Sequence, residues 1–500
     1  MKPDNFSFAA RIKESSNIRS IVAVINRHNA LLDRVLYNSR LDNSIAFFEI
    51  SGSSPELEQE LEKSGYILSS ITEPLFIKIK INLPDRVRAV SEILTQADDA
   101  GVIITLMEYD NHDTQKKNVL VLMLNAVESQ SVMAFLDYLK ERYVIDIVEY
   151  TPNNEDLDNR VFFITYANRI RKFTHDQGDH FILSFLADIN SIAFELKKLG
   201  YDPEDIFMKI YENGETLDRT TGEGFYADYQ KIDVKPGITL YCFQFPCGGN
   251  VYIIDSPEES LMIDTGYGIY HRDIMQMLDS IGLWKDSKKK TLFVSHGDAD
   301  HCGGTGYLGI TPYSHPETVD LVKNGNRAYK SVTEASDLEK IYTTMIGTFS
   351  KWLPPEKTLP FAKSDLDVDK IGEFPVYGKL EACGLNFTVL ESHGGHQYGQ
   401  VFLLEPEAGL FFTVDSALNL KSISPERTRY NQLADLFMTS VNVDSDLARK
   451  ERKDLMAIAA DYTAKSTGPF YICCGHGAVS LAEEGKLKAF GETVRYTYKK

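Results

Sequence analysis

The sequence has few of the features that mark secreted, membrane-spanning or disulfide-bonded proteins. It contains six cysteines in 500 residues, all from Cys242 onward and none in a Cys-x-x-Cys pair, so a disulfide framework is not expected. No apolar run approaches the ~20 residues that span a bilayer, and the N-terminal segment lacks the apolar core of a signal peptide. These absences predict a cytoplasmic protein with no membrane partner.

Basic residues are also scarce relative to acidic ones. The chain has 72 aspartates and glutamates against 53 lysines and arginines, which gives a formal net charge of −19. A surface of this sign repels the phosphate backbone of DNA or RNA, so no nucleic-acid partner is expected. The hydrophobic content of 43% is ordinary for a globular protein, and the length allows about two to four domains.

Two successive stretches of the first 150 residues repeat one order of secondary-structure patterns. Each begins with an alternating strand and continues with an amphipathic helix, two strands, a second helix and a closing strand. This βαββαβ order in about 75 residues predicts two ferredoxin-like domains, at 1–74 and 75–152. The order resembles that of tandem ACT domains, small regulatory modules that often bind amino acids.

The ACT resemblance implies a small effector as a partner and a homo-oligomer as the assembly. Amino-acid-binding ACT modules usually carry Asp-Arg-Pro-Gly after the first strand, where the glycine lets a ligand approach the backbone. Residues 85–88 are Asp-Arg-Val-Arg and residues 14–17 are Glu-Ser-Ser-Asn, so the glycine is missing from both repeats. Two hypotheses therefore stay open for these domains, effector binding and a purely dimerising or scaffolding role.

The remaining chain divides into a helical and a strand-rich part. Residues 153–228 show apolar spacing typical of helices, including a helix that ends at Gly214, and are predicted to form a helical connector. Residues 229–500 contain many short apolar runs separated by glycine-rich loops, with helical patterns between some of them. The whole chain is thus predicted to be a multidomain protein that combines α+β and α/β parts.

Histidine placement is the strongest chemical signal in the strand-rich part. His296 and His301 flank two aspartates in His-Gly-Asp-Ala-Asp-His, His393 and His396 share a short loop, and His476 lies in Cys-Gly-His-Gly. Each group follows an apolar run predicted to be a strand, and strand ends can bring distant residues to one sheet edge. Histidine and carboxylate ligands suit zinc or iron, and without cations the clustered aspartates would repel one another. A metal site is therefore predicted.

In order along the chain, these segments resemble the motifs of the metallo-β-lactamase superfamily, whose fold is an αββα sandwich. Glu-Ser-Leu-Met-Ile-Asp-Thr-Gly supplies Asp264, Ser-His-Gly-Asp-Ala-Asp-His supplies the second motif, and Gly-Gly-His supplies His396. Phe-Phe-Thr-Val-Asp-Ser supplies Asp415, and Cys-Cys-Gly-His-Gly supplies His476. The resemblance implies two divalent metal ions, held by His296, Asp298, Asp300, His301, His396, Asp415 and His476.

The resemblance also distributes these ligands. It assigns one metal to His296, Asp298 and His396, and the other to Asp300, His301 and His476. Asp415 would bridge both ions, and Asp264 would orient the ligands from behind. Because the family's Gly-His step falls on Gly395-His396, His393 is left near the substrate.

Asp298 departs from the usual motif, in which hydrolases of the superfamily have histidine. A carboxylate there is a harder ligand and adds negative charge, which favours iron, with zinc or manganese also open. Flavodiiron proteins have a glutamate at this place, and the spacing from His396 to Asp415 and on to His476 resembles theirs. Competence-type nucleases share the His-x-Asp-x-Asp-His form, but they are membrane-linked.

Two functions follow from the resemblance. The favoured one is a metallohydrolase, whose two metals share a hydroxide that attacks an ester, thioester, lactone or phosphoester substrate. Asp300, His393 and Tyr398 are its candidate catalytic groups. The alternative is a non-hydrolytic diiron protein that binds, senses or reduces a diatomic gas, oxygen or nitric oxide. The hydrolase is preferred because hydrolysis is the commonest activity of the superfamily.

Overall fold

The computed structural model divides the chain into two compact units, Met1–Thr165 and Tyr166–Lys500, which are described separately here. The structure describes residues 5–12, 15–38, 42–52, 54–71, 75–84, 88–109, 118–126, 129–150, 161–162, 164–166, 168–170, 192–193, 196–437, 441–483 and 485–498.

The first repeat of the N-terminal unit is a four-stranded antiparallel sheet with two helices. Its elements are β1 (Asn5–Arg11), α1 (Ser15–Arg27), β2 (Leu31–Asn38), β3 (Asp42–Ser51), α2 (Pro55–Lys63) and β4 (Ile67–Ile71), and the strands lie in the order β2-β3-β1-β4. Alternate strand residues such as Phe8 and Phe48 pack with Leu57 of α2 in one core. Ser54 caps α2, because its hydroxyl accepts a hydrogen bond from the Leu57 backbone N–H.

The second repeat has the same element order. It consists of β5 (Leu75–Asn82), α3 (Ala89–Asp99), β6 (Ile103–Tyr109), β7 (Val119–Ala126), α4 (Ser129–Lys140) and β8 (Val144–Tyr150), with the strands in the order β6-β7-β5-β8. Ile79, Ile93 and Phe135 lie in its buried core. Residues 85–87, which belong to the tetrapeptide compared with the ACT motif, lie outside the described residues. The ACT identity of both repeats stays a prediction.

The predicted helical connector is described only in part. The described residues at 161–162, 164–166, 168–170, 192–193 and 196–198 are helical, and the rest of 151–195 lies outside the described residues. The next helix, α5 (Pro203–Arg219), begins at an Asp202 cap. The prediction that it ends at Gly214 is wrong. Gly214 is buried within the helix, so this glycine lies at a packed surface rather than at a helix end.

Two sheets packed face to face form the centre of the C-terminal unit. The first contains β9 (Tyr226–Lys235), β10 (Ile238–Gln244), β11 (Asn250–Asp255), β12 (Glu259–Ile263), β13 (Lys289–Phe293) and β22 (Val494–Thr497), in the order β13-β12-β11-β10-β9-β22. The second contains β14 (Lys370–Ile371), β15 (Phe374–Ala382), β16 (Leu385–Glu391), β17 (Val401–Glu405), β18 (Leu410–Val414), β19 (Tyr471–Cys474), β20 (Ser480–Glu483) and β21 (Lys486–Ala489), in that order. Their inner faces share a core, in which the Tyr252 and Phe412 rings meet edge to face at 5.2 Å.

Further helices lie between the strands of this unit. They are α6 (His271–Ser280), α7 (Ala299–Cys302), α8 (Thr305–Leu308), α9 (Pro316–Asn324), α10 (Asp337–Phe349), α11 (Pro425–Phe437) and α12 (Ser445–Lys465). The connection from β12 to its parallel neighbour β13 contains α6, and that from β18 to β19 contains α11 and α12. Leu455 of α12 packs with Phe402 and Phe374 in a second core on the second sheet. No helix in the described part of the chain has both the length and the apolarity needed to cross a membrane.

Candidate metal centre

The two parallel strand pairs place polar residues at their carboxyl ends. Asp264 follows β12 and His296 lies just beyond β13, while Asp415 follows β18 and His476 lies just beyond β19. Neighbouring parallel strands end at the same sheet edge, which is where open α/β sheets usually carry their sites. The loops after these four strands therefore converge, although their residues come from distant parts of the sequence.

The side chains at this edge form two groups of possible ligands. Among the described residues, one group offers ligand atoms within 4.8 Å of one another from His296, Asp298, His396 and Asp415, and the other does so from Asp300, His301 and His476. The structure thus brings together all seven side chains that the sequence nominated as ligands.

Asp415 lies between the two groups. Its Oδ1 is 3.1 Å from Nε2 of His301, and its Oδ2 is 3.5 Å from Nε2 of both His396 and His476. One carboxylate therefore faces imidazoles of both groups, as a bridging ligand requires.

Several of the inward-facing atoms have no hydrogen-bond partner in the described part of the chain. They are Nε2 of His296, His301 and His396, together with Oδ1 of Asp415, and all are buried. Buried polar atoms are nearly always paired, so a cluster of unpaired nitrogens and oxygens calls for a ligand. Imidazole nitrogens and carboxylate oxygens are donors that divalent zinc, iron and manganese accept, so these residues fit a pair of metal ions.

The opposite ring nitrogens of the same histidines are held by neighbours. Nδ1 of His301 lies 2.9 Å from Asp264 Oδ2, Nδ1 of His296 lies 2.8 Å from the Ser295 hydroxyl, and Nδ1 of His396 lies 3.1 Å from the amide oxygen of Asn442. Such contacts fix the orientation of each ring and direct Nε2 toward a metal.

Asp264 has the supporting place that the motif comparison assigned to it. Besides His301, its carboxylate accepts hydrogen bonds from the Ser295 backbone N–H and hydroxyl, each at 2.8 Å. Asp264 adopts a left-handed backbone conformation with φ of +60° directly after β12. This turn directs the Asp264 carboxylate toward Ser295 and His301, and these hydrogen bonds connect the ends of β12 and β13.

The buried carboxylates change the acidity of the surrounding imidazoles. Burial alone would lower the pKa of His476, but Asp415 and Asp300 raise it to about 9. Burial and the neighbouring His301 lower the pKa of His296 to about 3. The carboxylates of the cluster therefore attract positive charge, which either protons or metal cations can supply. A metal ion that binds His476 has to displace the proton from its ring.

Asp298, the residue that replaces the usual histidine, is paired with a buried arginine. Arg327 donates from Nε to Oδ1 at 3.1 Å and from Nη2 to Oδ2 at 3.0 Å, and Gln397 donates to Oδ1 at 2.6 Å. Burial would raise the pKa of Asp298, but the Arg327 guanidinium holds it well below its usual value. Oδ2 of Asp298 still lies 3.2 Å from Nε2 of His396, so it remains available to the first group.

Arg327, Gln397 and Asn442 are missing from the sequence-based set. Gln397 directly follows a ligand, and its side chain also accepts a hydrogen bond from the Gly297 N–H at 2.6 Å, so the two motif loops are tied together. Adjacency to His396 was the available signal for Gln397. Arg327 and Asn442 lie in segments without a motif, and no pattern in the sequence connects them to the site.

The last motif needs glycine beside its histidine for a steric reason. A Cβ atom at Gly475 would collide with the Asp415 carboxylate. A Cβ at Gly249 would likewise collide with the His301 ring. The two glycines let the backbone approach the centre closely enough for the ligands to converge.

A cleft borders the ligand groups on the side of Asp298 and Asp300. This metal cleft contains about 380 Å³ of non-protein space and is lined also by Tyr267, Tyr342 and Trp352. Aromatic walls beside carboxylates are typical of a small-molecule site.

His393 and Tyr398 lie in other contacts. Nε2 of His393 is 3.1 Å from the backbone oxygen of Glu373, and the His393 ring stacks on Phe374. The Tyr398 hydroxyl donates to Glu317 at 3.1 Å, and Lys330 lies over its ring. The structure brings neither side chain into the two ligand groups, and their catalytic roles stay predictions.

Comparison with known families identifies the domain that carries this centre. The family model described as "Metallo-beta-lactamase superfamily" matches residues 245–449. Residues 245–449 form a metallo-β-lactamase superfamily domain. This metallo-β-lactamase domain contains six of the seven candidate ligands, and His476 follows the matched segment. Together with the two ligand groups, the domain indicates binding of divalent metal.

Solved structures of metallo-β-lactamases are similar to about half of this chain. A DIM-1 enzyme exposed to ceftazidime is 16% identical with a TM-score of 0.30, over 50% of this chain and 90% of its own. An enzyme from Hirschia baltica is 15% identical with a TM-score of 0.29, over 50% and 91%. One from Pontibacter korlensis is 13% identical with a TM-score of 0.30, over 50% and 92%. No curated protein matches the chain.

Proposed function

We propose that the metallo-β-lactamase domain is a metal-dependent hydrolase that acts on an ester, thioester, lactone or phosphoester. The observation that carries this proposal is the convergence of seven histidine and aspartate side chains, five of them buried, beside an aromatic-lined cleft. His296, Asp298 and His396 would hold one divalent ion, Asp300, His301 and His476 the other, and Asp415 both. When bound, two divalent ions polarise the scissile bond and lower the pKa of the attacking water.

The chain itself supplies orientation and a dry site. Asp264, Ser295 and Asn442 fix the ligand rings, so little reorganisation is needed when substrate binds. Asp300 lines the metal cleft with its carboxylate 3.4 Å from Nε2 of His476, where it can accept a proton from the attacking water. Trp352 forms part of the cleft wall.

The identity of the metal depends on how the charge of Asp298 is balanced. The carboxylate at this position favours iron because it adds negative charge to the first group. Arg327 cancels that charge through two hydrogen bonds, so the first group has nearly the charge of an all-histidine one. We therefore propose zinc and manganese, as well as iron, as candidate metals of the hydrolase.

A diiron protein that binds, senses or reduces oxygen or nitric oxide is the second candidate. It is favoured by three carboxylates in the ligand set, Asp298, Asp300 and Asp415, since oxygen-rich sites accommodate iron.

One experiment separates the two candidates. Full-length protein purified without oxygen would be assayed for metal content, for its visible spectrum before and after air, and for hydrolysis of p-nitrophenyl acetate, an acetyl thioester, a lactone and bis-p-nitrophenyl phosphate. The hydrolase proposal expects turnover that His296→Ala abolishes and that His271→Ala, a histidine stacked on Tyr307 instead, preserves. An iron-dependent absorption change in air without any turnover would overturn it in favour of the second candidate.

For the N-terminal unit we propose self-association and binding of a small effector. The βαββαβ sheets leave large apolar side chains exposed on β6 and β8, including Ile103, Met107 and Val148. β6 and β8 are the two edge strands of this sheet, and exposed edge strands are frequent sites of association. Sedimentation of the full chain would test this, and a strictly monomeric chain at micromolar concentration would count against it.

A further inference from the structure

A second cavity lies in the C-terminal unit beside α10. It contains about 490 Å³ of non-protein space, part of which is open to solvent. Side chains of α5 and α10 form most of its wall, and all of its lining residues are apolar except Asn213 and Tyr342. We call it the apolar cavity.

The apolar cavity and the metal cleft share a wall. Tyr342 and Ile346, one turn apart on α10, line both of them. A second link runs through hydroxyl groups, because the Tyr430 hydroxyl lies 3.3 Å from the amide oxygen of Asn213 and 3.1 Å from the hydroxyl of Tyr267. Asn213 lines the apolar cavity and Tyr267 lines the metal cleft, so the Tyr430 hydroxyl connects the walls of the two spaces.

The chemistry of the wall selects what can occupy the cavity. Leu338, Met345 and Phe349 follow one face of α10, and Phe207 faces the same space from α5. An apolar stripe on a helix is usually closed by core packing, and here the buried side chains of the stripe also line the apolar cavity. None of the described residues that line the cavity is charged. A charged group would therefore lose its hydration there without compensation, whereas a hydrocarbon chain gains free energy on entering.

We propose that the apolar cavity receives the hydrocarbon tail of the substrate, and that the substrate is a medium-chain acyl ester or thioester. This inference rests on the proposed hydrolase function. The acyl carbonyl would lie in the metal cleft beside Asp298 and Asp300, and the chain would pass Tyr342 and Ile346. Hydrolysis adds water across the acyl bond: the new C–O bond forms, the C–O or C–S bond to the leaving group breaks, and a fatty acid and an alcohol or thiol are released.

Chain-length dependence of hydrolysis is the first test. We expect kcat/KM of the metal-loaded full chain to rise about two- to fourfold per added methylene from p-nitrophenyl acetate to the octanoate. Ile210→Trp, which fills the cavity from α5, should remove this rise and leave acetate hydrolysis unchanged. Leu338→Trp, from α10, should act in the same way. Val332→Trp is the matched control, because Val332 is exposed and outside the cavity. Equal rates for all chain lengths would overturn the proposal, as would an undiminished rise in both cavity variants.

Binding of octanamide and acetamide, measured by calorimetry, separates this inference from the hydrolase proposal. Binding of octanamide that Ile210→Trp abolishes, without hydrolysis of any ester, would support the cavity and overturn the hydrolase. Hydrolysis without chain-length preference and without octanamide binding would overturn the cavity and support the hydrolase. Absence of both would overturn both. Circular dichroism of each variant verifies that the loss comes from a filled cavity and not from unfolding.

Discussion

The two ligand groups of the metal centre contain the same kinds of side chain, but they hold their own aspartates differently. Both oxygens of Asp298 accept hydrogen bonds from Arg327, whose guanidinium is only 3% exposed. The Asp300 carboxylate instead faces the His476 and His301 imidazoles at 3.4 and 3.9 Å, and no lysine or arginine of the described chain pairs with it. Asp298 thus has a guanidinium partner within the protein, whereas Asp300 is paired only with imidazoles.

This difference teaches how one centre can present two unequal sites. In the first group, Arg327 and Gln397 fix the carboxylate before a cation arrives, which reduces the ordering cost of binding but also the Coulomb attraction. In the second group the attraction is undiminished, and the raised pKa of His476 shows how strongly the carboxylates there favour positive charge. We therefore expect the second group to hold its ion more tightly.

The largest expected effect comes from removing the residue that both groups share. Asp415→Ala should leave less than half an ion per chain, because each site loses a ligand and the two sites lose their bridge. Metal content by mass spectrometry after desalting checks this, with Asp279→Ala, an exposed aspartate of α6, as the control. Two ions per chain in Asp415→Ala would remove the basis of the comparison.

A double-mutant cycle tests the neutralised pair directly. Asp298→His should lower the free energy of unfolding by about 3–5 kcal/mol and empty the first site. Buried Arg327 then loses both hydrogen bonds to Asp298 and keeps only Glu339, 3.5 Å from its Nη1, as a carboxylate partner. Adding Arg327→Met should restore much of both losses, since the histidine then resembles the usual motif. Denaturant unfolding and metal content are the measurements. Additive losses in the double variant would show that the pair does not act as a unit.

Supporting residues should distinguish the two sites by affinity. Asp264→Asn weakens the support of His301 in the second group, and Asn442→Ala weakens that of His396 in the first. Each should reduce affinity about 10–100-fold at its own site. In a chelator titration followed by the release of metal, Asp264→Asn should affect the tightly held ion and Asn442→Ala the weakly held one. The opposite assignment would reverse the predicted order of affinity.

The smallest effects are expected at the two predicted catalytic residues that lie outside both groups. His393→Ala and Tyr398→Phe should keep two ions per chain and change stability by less than about 1 kcal/mol, because their contacts are with Glu373, Phe374 and Glu317. Metal loss in either variant would place that residue in the centre after all. Their kcat values, measured on the metal-loaded protein, test the catalytic roles separately.

All seven candidate ligands could be named from the sequence because each lies in a segment that resembles a metallo-β-lactamase motif. These segments follow apolar runs that become strands, and four of the strands form the two parallel pairs β12–β13 and β18–β19. His296 and Asp298, for example, follow the apolar run of β13. Arg327 and Asn442 could not be found in this way. Their position depends on the path of long connections between β13 and β14 and between β18 and β19, which local periodicity does not determine.

Helix ends show the same limit. The spacing of apolar residues predicts the position of α5 correctly. Gly214 is the predicted end of this helix, but it is a buried residue within it. The strands of the N-terminal repeats are easier to predict, because strands such as β5 alternate regularly between apolar and polar residues. β5 ends at Asn82, and the residue after it, Leu83, is buried.

The position of Asp415 also has a consequence for biosynthesis. Its carboxylate faces His301, His396 and His476, and the last of these is translated 61 residues after Asp415 itself. A nascent chain that has not yet reached β19 lacks one imidazole and cannot close the bridged pair. We therefore expect metal to be bound by both groups only after the segment that contains His476 has left the ribosome and has paired with β18.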